Sequence, residues 1–163
     1  MPSSTALPTN AAAESRRGRA ARILLAGLGA LVGLGTLGGL VSFTGNPWLL
    51  GSFGASCVLL FGFPETGFAR PKNVVGGHVL SSLIGLACLH WLGAGWWAMA
   101  MAGACAAMVM MATDTVHPPA GSNPVIIYLT HPGWEFLLLP TLAGALMLLL
   151  ISKLYWRLAR PRR

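Results

Sequence analysis

Polar and apolar positions in this chain come in blocks. From Ile23 to Ala69 the only charged side chain is Glu65, and from Asn73 to Thr113 there is no Asp, Glu, Lys or Arg. Uncharged apolar runs of roughly 18 or more residues read as membrane spans, not as the amphipathic helices of a soluble domain. The blocks predict an all-α polytopic membrane protein with segments near 23–44, 48–63, 73–92, 96–113, 125–129 and 136–156. Four of the six are long. The second and fifth are short and broken.

The breaks carry most of the information. The fifth segment follows "TVHPPAGSNP" (115–124) and the second contains "GSFGAS" (51–56). Pro118 and Pro119 cannot donate a backbone hydrogen bond, and they push their predecessors toward extended geometry. Proline also suits the first turn of a helix. The motif therefore predicts an extended stretch that starts a short helix near Ala120–Pro124, with a matching start near Gly54–Ser56. Unpaired backbone groups are costly in hydrocarbon, so such breaks belong where protein or a water-filled cavity covers them.

The two broken blocks resemble each other. "GASCVLLF" (54–61) aligns with "GSNPVIIY" (121–128), glycine on glycine and Val58 on Val125. Each block sits between two long apolar segments. The layout predicts two three-helix repeats, 23–92 and 96–157, of long helix, broken short helix, long helix. Tails of 1–22, read as disordered and basic, and 158–163 flank this 23–157 domain. Glycines such as Gly29, Gly33, Gly35 and Gly39 would let the first helix pack closely.

Charge fixes an orientation. Arg16, Arg17, Arg19 and Arg22 precede the first apolar run, and Lys153, Arg157, Arg160, Arg162 and Arg163 end the last. Basic flanks mark cytoplasmic ends, so both termini are placed inside. If all six segments cross, the turn with Arg70 and Lys72 also falls inside and the repeats are inverted. If the second and fifth are re-entrant, only four cross and that turn lies outside. The rule favours six.

Composition agrees: 55% of residues are hydrophobic and 9% charged, against about 25% charged in an ordinary soluble domain. The net charge of +7 lies on the flanks of the spans, a pattern for anionic membrane lipid and not for nucleic acid. Cys57, Cys88 and Cys105 lack metal or redox spacing and read as small packing residues. No paired carboxylates, nucleophile–base set or nucleotide-binding motif appears, so neither an enzyme nor a cofactor is expected.

A helix start presents N–H groups and a positive dipole end, which suit an anion. Two inverted starts would aim at one midplane site, as in broken-helix transporters. The candidate lining is Gly54, Ala55 and Ser56 from the first block, with His117, Pro118, Pro119, Ala120, Gly121, Ser122 and Asn123 from the second. Ser56, Ser122 and Asn123 offer donors, and His117 a donor or a switchable charge. The competing reading makes these residues ordinary caps and turn partners. Arg70 and Lys72 would guide anions on the cytoplasmic face. Asp114 could pair with either, bind a proton or face interfacial water.

"TDTVHPPAGSNP", with "FGASCVLLFGFPETGFARPKNVVGGHVLSSLIG" (53–85) and "PGWEFLLLPTLAGALMLL", resembles the HPP family of integral membrane proteins over about residues 25–156. Pro71, Asn73, Gly76, Gly77 and His78 match one of its motifs, and His117 to Gly121 the other. The family is usually described with four spanning helices, and some plant and cyanobacterial members are associated with nitrite transport. The resemblance implies a small transporter or channel for a nitrite-like anion in a bacterial inner membrane. Homo-oligomerisation is expected, and Asp114 departs from what relatives often carry there. The alternative is a non-transporting scaffold or sensor subunit.

Overall fold

A computed structural model describes residues 16–159, and every regular element among them is helical. α1 spans Arg16–Thr44, and α2, Ser52–Cys57, continues as a π-helical turn, Val58–Gly62. α3 is Pro71–Leu92 and α4 is Trp96–Ala112. A 3-10 turn, Pro118–Ser122, leads into α5, Asn123–Thr130. Trp134–Leu137 and Leu138–Leu142 form two further irregular turns before α6, Ala143–Ala159.

Several expected boundaries move. The basic stretch 16–22, assigned to the tail, is helical; its arginines and alanines are good helix formers and simply extend α1. The rest of that tail, 1–15, lies outside the described residues, as does 160–163 at the other end, where α6 runs to Ala159. Among the described residues three helical stretches, not four, are long and apolar enough to cross a membrane: Gly18–Thr44, Pro71–Leu92 and Trp134–Ala159, the last running through the two irregular turns into α6. The exception is α4, whose 17 residues rise about 25 Å at 1.5 Å each, short of a ~30 Å hydrocarbon core.

What stops α4 is Asp114. It adopts a left-handed φ of 52°, a conformation that Asp tolerates better than most residues. Thr115 N–H then bonds Met110 O at 2.9 Å and Asp114 N–H bonds Met111 O at 3.3 Å. That is the paired 6→1 and 5→2 pattern that closes a helix C-terminus. The second break starts as expected: His117 is extended, at φ −131° and ψ 97°, and the two prolines open the 3-10 turn. The first short helix begins at Ser52, two residues before Gly54.

Contacts fix how the segments lie. Tyr155 Oη donates to Leu25 O at 2.6 Å, and Trp156 Nε1 to Leu60 O at 2.9 Å. The start of α1, the end of α6 and the end of the π turn therefore share one end of the molecule. A β-carbon on Gly29 or Gly33 would press on the Phe61 ring, so these glycines seat the second segment within the same chain. Leu37, Leu50, Phe53, Phe61, Val74 and Leu148 fill the core beside them.

Candidate functional site

The two broken blocks meet. A β-carbon on Gly51 would touch Ile126, while Ser56 lies against His117, so 51–56 and 117–126 run antiparallel. α3 lies beside the second block in parallel register. A β-carbon on Gly77 would sit 2.8 Å from His117 Cβ, Ser81 Oγ donates to Ala120 O at 2.7 Å, and one on Gly85 would sit 3.0 Å from Pro124 Cα. Side-chain-free glycines at 77 and 85 are what allow this close approach.

At the crossing lies a chain of buried polar side chains. His117 Nδ1 is 2.7 Å from Phe68 O, and a carbonyl only accepts, so Nδ1 carries the proton. In the neutral ring Nε2 then accepts, and Ser56 Oγ donates to it at 2.8 Å. Ser56 oxygen accepts in turn from His78 Nε2 at 3.1 Å. His78 Nδ1 is left as an acceptor for Asn123 Nδ2 at 3.1 Å. The same amide nitrogen donates to Ser82 Oγ at 2.9 Å and lies 3.3 Å from His78 O. Ser82 has its hydroxyl hydrogen left for Thr141 Oγ1 at 3.0 Å.

One arrangement of protons, with both imidazoles neutral, fits these bonds from Thr141 to Phe68, while the buried Asn123 Oδ1 has no hydrogen-bond partner among the described residues. The secondary contact from Ser56 Oγ to Ser52 O is longer, at 3.2 Å, and competes for the hydrogen that His117 receives. Ser56, His78, Ser82, His117, Asn123 and Thr141 are all fully buried. Burial makes each bond matter, because a missing partner cannot be replaced by water. The rings pack edge to face, Phe53 on His78 at 5.1 Å and His78 on His117 at 5.0 Å between centroids.

Of the residues singled out in the sequence, Ser56, His78, His117 and Asn123 thus form one cluster, with Gly77 making room for it. Asn73 supports it from outside, its Nδ2 donating to Val116 O at 2.8 Å. Pro119 and Ala120 are buried, Gly54 and Gly121 are half-buried, and Ala55, Pro118 and Ser122 are exposed. Ser122 Oγ turns back onto Pro119 O at 2.8 Å. Arg70, Lys72 and Asp114 are exposed and outside the cluster. The first N–H groups of α2 close locally, Phe53 onto Leu50 O and Gly54 onto Gly51 O.

Three contributors had no sequence signal of their own. Ser82 sits in an otherwise apolar helix, and Thr141 enters because Leu139, at φ −137° and ψ 122°, breaks the last segment as well. Ser52 is the third. Its hydroxyl is buried and has no hydrogen-bond partner among the described residues. It lines an open depression of about 530 Å³ with Gly51 and Ala55 from one block and Pro118, Pro119 and Ser122 from the other.

Comparisons with known proteins agree on the class of molecule. A family model described as "HPP, transmembrane region" matches residues 15–163. Two transmembrane proteins of Dictyostelium discoideum are similar. One is 35% identical over 122 residues, which covers 70% of this chain and 43% of the relative. The other is 33% identical over 124 residues, 71% of this chain and 40% of the relative. The chain thus spans less than half the length of these relatives. No solved structure matches it.

Proposed function

This chain belongs to the HPP transmembrane family, and from that premise we propose that it is a small membrane transporter or channel for a small anion, nitrite first. All six segments cross, two of them broken, as inverted halves with both termini on the cytoplasmic face of a bacterial inner membrane. The shared end of α1, α6 and the π turn supports that arrangement, and so does the antiparallel crossing of 51–56 with 117–126.

The observation that carries the reading is the depression between the two blocks. Both breaks border it, and Ser52, whose buried hydroxyl has no hydrogen-bond partner among the described residues, is one of its lining residues. Irregular backbone at membrane depth needs a covering of protein or water. The path of the anion runs along this depression, and a second copy of the chain closes its open side. Ser52 offers the donor there, since Ser122 Oγ is spent on Pro119 O, while the histidine cluster behind holds the two breaks together. Purified protein in liposomes is expected to pass nitrite faster than empty liposomes, and Ser52→Leu to slow it.

A second reading has its own support. The Ser56–His117–His78–Asn123 chain spends its hydrogen bonds on itself, as a non-transporting scaffold subunit would. Absence of flux for nitrite, nitrate, formate and chloride would leave that reading standing.

A further inference from the structure

We propose that the crevice between α6 and the 60–71 turn is a binding site for one anionic phospholipid. It lies at the end shared by the start of α1 and the end of α6. The crevice has a volume of about 390 Å³. Leu60, Pro64, Ala69 and Leu149 make its walls apolar, while Lys153 and Arg157 stand at it one turn apart on α6. Residues four apart on a helix share a face, so the two cations act on one headgroup. Both are exposed, and neither forms an ion pair among the described residues.

The walls are built to stay in place. Trp156 lines the crevice and its Nε1 bonds Leu60 O at 2.9 Å, tying α6 to the π turn. Pro64 and Pro71 bound the turn on the other side. Ser152 Oγ is committed to Leu149 O at 2.9 Å, leaving the charge at the crevice to the two cations. A free phosphate would use the cations and leave the apolar walls wet. A phospholipid uses both, its phosphate on Lys153 and Arg157 and the upper part of its chains along the walls. Tryptophan and basic residues at the end of a spanning helix place the crevice at headgroup level.

The test uses the full chain in phosphatidylcholine nanodiscs, with phosphatidylglycerol added and bound lipid counted by native mass spectrometry. Wild type is expected to retain phosphatidylglycerol in preference to phosphatidylcholine. Lys153→Gln/Arg157→Gln should weaken that retention by roughly thirtyfold, about fivefold per cation. Arg16→Gln/Arg19→Gln, which removes as much charge from α1, should leave it within about twofold. Both substitutions are at exposed positions, and unfolding in phosphatidylcholine alone checks the fold. Lys153→Arg/Arg157→Lys, which keeps the charge, should retain the lipid. Equal loss in the two charge-removing variants would mean diffuse attraction to a basic surface and would overturn the site. Displacement of the lipid by inorganic phosphate alone would also overturn it.

Discussion

Ser56 Oγ and His117 Nε2 lie 2.8 Å apart, fully buried, although they stand 61 positions apart in the chain. Each comes from one of the two broken blocks, so this bond pins the breaks to each other. Ser56→Ala deletes the acceptor for His78 and the donor to His117 together. Each buried group left unpaired costs about 1–3 kcal/mol. The variant is expected to lose about 2–6 kcal/mol of stability on that reckoning, read as a lower thermal midpoint in detergent. A midpoint equal to wild type would show that the bond does not hold the blocks.

Asn123 gives a sharper comparison, because its amide nitrogen faces only acceptors: His78 Nδ1, His78 O and Ser82 Oγ. Asn123→Asp is nearly isosteric but turns a carboxylate oxygen toward those atoms and buries a charge. Asn123→Ala only removes the donors. Aspartate should therefore be the worse replacement by about 2 kcal/mol or more, measured as the difference in unfolding midpoint or in yield of monodisperse protein. An aspartate variant as stable as the alanine one would mean that the ring tautomers run the other way.

The blocks of uncharged residues and the two proline- and glycine-marked breaks were legible in the chain, because hydrocarbon tolerates neither charge nor open backbone. The resemblance of the blocks also pointed to their meeting. It did not show how their donors are used. Asn123 and Ser122, read as available to a ligand, close onto His78, Ser82 and Pro119 instead. Those partnerships depend on the register of α3 against the second block, and nothing local in "SSLIG" marks it. Ser52 was hidden for a similar reason, since a serine inside "GSFGAS" looks like any other small residue until its neighbours in space are known.

That register makes a prediction about glycines. A β-carbon on Gly77 would stand 2.8 Å from His117 Cβ and 2.9 Å from Thr115 O, and the carbonyl is backbone that cannot swing aside. Nothing lies within 4 Å of one on Gly103, in the middle of α4. Gly77→Ala is expected to destabilise by about 1–3 kcal/mol through overpacking, and Gly103→Ala to be neutral or to stabilise by up to about 1 kcal/mol. Unfolding midpoints of the two alanine variants, run side by side, decide it. Equal behaviour would mean that α3 and the second block are not in this close contact.

The six-crossing arrangement stakes itself on the turn after the π helix. Trp156 Nε1 bonds Leu60 O, and Pro64 and Glu65 border a crevice with Arg22 and Trp156. The turn and both ends of the described helical part therefore sit at one end of the molecule, and the six-crossing arrangement puts them on one face of the bilayer. With Cys57, Cys88 and Cys105 replaced by alanine, single cysteines at Glu65 and Leu158, both exposed, should react with an impermeant thiol reagent from the same side. A four-crossing arrangement with re-entrant short segments puts Glu65 on the face opposite Leu158. Labelling of the two positions from opposite sides would rule out six crossings, and with them the inverted pairing of the two breaks.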